Sequence, residues 1–231
     1  MRQFASLQLF WDERFEAAQE RIIHAVTSYM QALGYTPCGH ESAERTIAFA
    51  RVKGGWAVFD DCADRQDMRA LNGLARCLTL KLKTSAVGVM GFKDGFVLKL
   101  YKDGALLDTF NALSGQVLGK GIKFLGRAIR WRTALGKDIE IRELSAAFQS
   151  AKTSPDHGFE RLRELLFLDA SAGYGFSSIE DAGLQGVIWM YFNAPNRIRQ
   201  RWYEKLLHLP TRCGGAAPTA FSHQKECRQR H

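Results

Sequence analysis

Residues 86–110 read AVGVMGFKDGFVLKLYKDGALLDTF, and the punctuation of this stretch decides the fold class. Two Lys-Asp-Gly triplets, 93–95 and 102–104, divide it into three apolar runs. Asp-Gly supplies the positive φ angles that tight hairpin turns require, so the runs read as strands Ala86–Phe92, Phe96–Tyr101 and Leu106–Phe110 in an antiparallel meander. Immediately upstream, from Gln66 to Lys83, the residues Met68, Leu71, Leu74, Ala75, Leu78 and Leu82 recur at spacings of three and four. That is one face of an amphipathic helix directed at a sheet.

Further upstream, TIAFARV (46–52), Lys53-Gly54-Gly55 and WAVF (56–59) read as a hairpin. FASLQLFW (4–11) is rich in strand formers, and Asp12-Glu13 opens a second helix, which carries Phe15, Ile22, Ile23, Val26, Tyr29, Met30 and Leu33 and stops at Gly34. The order through residue 110 is β-α-β-β-α-β-β-β. It predicts an α+β fold: a mainly antiparallel sheet with both helices on one face, ferredoxin-like or a related two-layer sandwich.

After Ser114-Gly115 the pattern turns helical, over 117–135, 141–152, 159–167 and 198–207, with the Gly/Ser/aromatic segment 173–178 as a loop or short strand. The expected organisation is an α+β domain over 1–114, a helical annex over 115–209 packed on it, and a flexible tail over 210–231, which lacks apolar periodicity.

The stretch FVLKLYKDGALLDTF (96–110), preceded by the Leu/Ala-rich NGLARCLTLKLKT (72–84), resembles a hairpin of uncharacterised bacterial α/β proteins. The resemblance covers residues 66–112 and implies a bacterial origin, without an assigned activity.

Composition narrows the class. With 46% hydrophobic and 24% charged residues, the 231-residue chain is that of a globular protein. No apolar run approaches the roughly 18–20 residues of a membrane span. Acids at Asp12 and Glu13 interrupt any secretory leader, and five dispersed cysteines read as reduced thiols, so a cytoplasmic location is expected. The net charge of +8 is uneven: residues 1–108 hold 14 Lys/Arg against 13 Asp/Glu, and residues 109–231 hold 18 against 11. A positive field in the second half attracts anionic partners.

Chemistry-bearing motifs are weak. Asp60, Asp61, Asp64 and Asp67 cluster between a strand and a helix, where they could meet a cation or a substrate; capping and turn duty explains them better. Residues 115–122 (GQVLGKGI) miss the phosphate-loop pattern, with three residues between the glycines and Gly121 after Lys120. Cys213, His223, Cys227 and His231 offer zinc-type ligands at a spacing no standard finger uses, and neither a metal nor a cofactor is expected.

The strongest signal is basic. Over 117–135, Lys120, Lys123, Arg127 and Arg130 line one face of the expected helix, and Ile122, Leu125 and Ile129 another. From Thr109 to Lys137 there are six basic residues and no acid. Arg197, Arg199, Arg201 and Lys205 are interleaved with Trp202 and Tyr203. These residues, Trp202 included, are the candidate binding set, against the alternative of an ordinary solvated helix face. The leading expectation is a non-enzymatic interaction protein, such as an immunity or accessory protein, that recognises an acidic protein surface. A nucleic-acid binder using the two basic segments is the alternative, and an enzyme centred on Asp60, Asp61 and Asp64 is the third reading.

Overall fold

The computed structural model describes residues 3–11, 15–113 and 126–194. Its first part runs β1 (Phe4–Phe10), α1 (Phe15–Ala32), the two-residue β2 (Thr36–Pro37), β3 (Arg45–Val52), β4 (Gly55–Asp60), the single turn α2 (Asp61–Asp64), α3 (Met68–Leu82), β5 (Ser85–Phe92), β6 (Gly95–Lys102) and β7 (Ala105–Asn111). Then come α4 (Ala128–Leu135), α5 (Ile141–Thr153), α6 (Pro155–Leu165), three short 3-10 turns between Ala170 and Ala182, and β8 (Ile188–Asn193).

All eight strands join one antiparallel sheet in the order β2-β8-β3-β4-β1-β5-β6-β7. β1 lies inside the sheet, flanked by β4 and β5. The α1 connection therefore carries the chain from β1 past β4 to β3, and the α3 connection carries it from β4 past β1 to β5. Each is a β-α-β unit split by one opposing strand.

Alternation along the strands sorts side chains onto two faces. Leu7, Leu9, Phe49, Trp56, Val58 and Tyr101 face α1 and α3, which contribute Ile22, Val26, Met30, Leu71, Leu74 and Leu78. Val87, Val89, Phe96, Leu98 and Phe110 face the other way, against Trp131 of α4, Leu144 and Phe148 of α5 and Phe159 and Leu162 of α6. The sheet is thus the middle of three layers, and each large apolar side chain buried there contributes about 1.5–3 kcal/mol. A third, smaller cluster lies at the β3–β4 end, where Ala48, Ala57 and Phe59 meet Ile179 and Phe176.

Three expectations need correction. The annex is not only helical: β8 pairs with β3 along five register positions, from Arg45↔Phe192 to Phe49↔Ile188. Of the helix expected over 117–135, residues 117–125 lie outside the described residues; within the described part Arg127 is extended (φ −94°, ψ 98°) and helix begins only at Ala128. The helix expected over 159–167 starts earlier, at Pro155, where a proline fits the first turn.

The two Lys-Asp-Gly triplets also differ. In the second, Lys102 pairs with Ala105 and the turn residues Asp103 and Gly104 have φ of 48° and 83°. In the first, Phe92 pairs with Gly95, so the turn is Lys93-Asp94 and the glycine already belongs to β6. Gly95 takes φ 145°, and a Cβ there would lie 2.3 Å from the Ala112 carbonyl oxygen.

Candidate functional site

The aspartate-rich segment resolves into separate structural tasks. Asp67 caps α3, accepting from the N–H groups of Arg69 and Ala70. Asp64 accepts from Ala5 N at 3.1 Å and Ser177 N at 3.0 Å, and so ties the start of β1 to the loop ahead of β8. Asp60 is 2% exposed and receives both Nε (3.1 Å) and Nη2 (2.5 Å) of Arg45, which is also buried. It also accepts from Cys62 N and so caps α2.

Around that ion pair, burial shifts the neighbouring titratable groups. Burial works against the Arg45 charge, but the Asp60 carboxylate and its hydrogen bonds outweigh it and hold the guanidinium above its usual value. The Arg45 guanidinium lies 5.7 Å from the Tyr29 ring and 5.9 Å from the Tyr35 ring. Burial pushes the Tyr29 phenol up to about 12, and the Cys62 thiol likewise to about 12, leaving that sulfur protonated at neutral pH. Burial and the neighbouring Asp60 raise Asp61. Asp60, Asp61 and Cys62 do place ligand atoms within 4.8 Å of one another. Asp60, however, is already engaged by a buried arginine that would repel a cation.

The basic candidates are placed unevenly. Lys120, Lys123, Arg197, Arg199, Arg201 and Trp202 lie outside the described residues, as do segment 115–122, the helix expected over 198–207 and the Cys/His set. Arg127 and Arg130 open α4 and are exposed. Arg127 donates its backbone N–H to Asp108 Oδ2 at 2.6 Å, and Arg130 Nη1 donates to the Leu107 carbonyl at 3.0 Å. Leu107 is the extra residue of a bulge in β7, between Leu106, opposite Tyr101, and Asp108, opposite Leu100.

The apolar face of this helix is not the expected one. Ala128, Trp131, Ala134 and Leu135 are buried, whereas Ile129 is 54% exposed, and Arg127, Arg130 and Arg132 at nearby positions are exposed as well. Trp131 decides the rotation, since its ring enters the core and its indole N–H finds Asp108 at 3.0 Å. Arg132, Lys137 and the outward Ile129 were the residues that pattern reading missed. The available signal was the Ala128, Trp131, Leu135 spacing, which marks the buried stripe.

The resulting surface combines three arginines with a half-exposed isoleucine. Two of the arginines sit in the first turn, where the helix dipole disfavours cations. Such a local conflict with stability is common where side chains are placed for binding. Compared with known proteins, the chain matches no family model, no curated protein and no solved structure.

Proposed function

We propose that this is a non-enzymatic interaction protein, of the immunity or accessory type, whose α4 surface docks an acidic partner protein. The observation that carries the reading is Ile129, 54% exposed and flanked by the exposed Arg127, Arg130 and Arg132. An exposed apolar side chain on a helix whose exposed positions also carry cations suits a partner with an apolar recess and an acidic rim. A nucleic-acid backbone would use the charge and leave the isoleucine idle. The six basic residues from Thr109 to Lys137, with no acid among them, support the same polarity.

A photo-crosslinking side chain at position 129 of the full chain, used in the native host, tests this. The expected product is one acidic protein adduct, absent when the crosslinker sits at exposed Lys53 and lost on Arg127→Glu with Arg132→Glu. Adducts no stronger than at Lys53, or adducts to nucleic acid, overturn the reading.

A further inference from the structure

On the opposite face of the sheet from α4, a second polar cluster sits where α3 crosses β6. Lys99 Nζ donates to Asn72 Oδ1 at 2.9 Å, and Tyr101 Oη donates to the same oxygen at 2.5 Å. Asn72 lies on the first turns of α3, and Arg76, one turn further along, is exposed beside it. Opposite Lys99 the neighbouring strands offer Gly88 on β5 and Thr109 on β7. Gly88 adds no side chain, and threonine adds only a hydroxyl.

The chemistry of this cluster is one-sided. Two donors saturate Asn72 Oδ1, which leaves the Asn72 NH2 group, two N–H bonds of Lys99 and the Arg76 guanidinium as donors. Among the described residues no carboxylate pairs with Lys99 or Arg76. Burial, and then the Arg76 charge, pull the Lys99 ammonium down to about 8, so the two cations oppose each other where water is partly excluded. Ordinary surface lysines escape such a penalty by reaching into solvent. Lys99 is instead held in place by Asn72.

We propose that Lys99, Asn72 and Arg76 form a binding site for a phosphoryl dianion. Two cations without a counter-charge match a dianion better than a carboxylate. The fork of Arg76 and the Asn72 amide supply the directed N–H bonds that phosphate oxygens accept. Binding would relieve the Lys99–Arg76 repulsion, so occupancy and Lys99 protonation are coupled.

The test is a titration of the full chain with inorganic phosphate at constant ionic strength, with chloride as the balancing ion. Lys99 is followed by NMR of its side-chain Cε and Nζ. The expected result is saturable binding that moves the Lys99 titration midpoint upward by about one unit, equivalent to about tenfold tighter binding to the charged form. Arg76→Gln, at an exposed position, and Lys99→Met should each weaken binding about tenfold or more, and Lys93→Gln should leave it unchanged. Glycerol phosphate binding tighter than inorganic phosphate would identify a phosphomonoester as the ligand, and the reverse would identify the free ion; either supports the site. No saturation above chloride, equal binding by Arg76→Gln, or acetate binding as tightly as phosphate overturns it.

Discussion

Trp131 donates its indole N–H to Asp108 across 3.0 Å, a buried contact that ties α4 to β7. The carboxylate is 4% exposed and also accepts from Arg127 N and Thr109 N. A strand residue thereby caps α4 from a distance, which Arg127 at the cap position cannot do itself. Asp108→Ala leaves three donors without partners in a dry site, and should destabilise the protein by about 3 kcal/mol. Asp108→Asn, which keeps an acceptor, should cost about half of that. Urea unfolding followed by tryptophan fluorescence measures both, and equal losses for Ala and Asn would deny the carboxylate its capping role.

The Arg45–Asp60 pair carries a different penalty. Removing one partner strands a buried charge, so Asp60→Ala should cost about 3–5 kcal/mol. Arg45→Met combined with Asp60→Leu removes both charges. It should recover most of that loss, short of about 1 kcal/mol for the missing α2 cap. Chemical denaturation of the two single variants and the double variant closes the cycle. A double variant as unstable as Asp60→Ala would show that the pair is needed for more than mutual neutralisation.

Gly104 has φ 83°, and a Cβ at that position would lie 3.0 Å from Leu80 Cβ on α3. Its N–H also donates to Thr79 Oγ1 at 3.1 Å, which fixes the turn against the helix. Gly104→Val therefore meets backbone strain and a steric contact together, and should lower stability by about 1 kcal/mol or more. A thermal melt with an unchanged midpoint would contradict this.

Local chemistry made much of the molecule legible. The stripe Leu71, Leu74, Ala75, Leu78 and Leu82 of α3 is buried as its spacing requires, and Asp67 caps that helix as an aspartate before an apolar repeat should. What sequence could not convey was long-range. β8 is a run of apolar and aromatic residues, IWMYFN, whose strand partners lie more than 130 positions earlier in β3. Its half-buried pattern gives little alternation to read. The start of α4 escaped for the same reason, because its cap is Asp108, 19 positions upstream of Arg127. At the candidate site, the arginines were visible as charge. That Ile129 would face outward with them depended on where the ring of Trp131 found its partner.

The last prediction follows from Lys99. An unfolded lysine titrates near about 10.4, and in the folded protein burial and then Arg76 pull this group down to about 8. Between those values the unfolded chain holds a proton that the folded chain has released, so Lys99 makes stability rise with pH across that window. Below about 8 both states are protonated and its penalty is full and constant. Other groups act in the opposite sense higher up: burial raises Cys62 and Tyr29 to about 12, and raises Cys77 and Tyr101 as well. Each of those favours the folded state at neutral pH, and that contribution fades above the unfolded thiol and phenol values. The groups facing Lys99 itself are Arg76 and Asn72 of α3, Tyr101 of β6 and Thr109 of β7, and only Arg76 among them is charged at pH 8. Lys99→Met should therefore be relatively most stabilising at pH 7. The difference between variant and wild type should shrink as pH rises from about 8 to 10, when both are measured by denaturant unfolding in phosphate-free buffer. A difference that is flat across that range would mean that Lys99 keeps its proton in the folded protein.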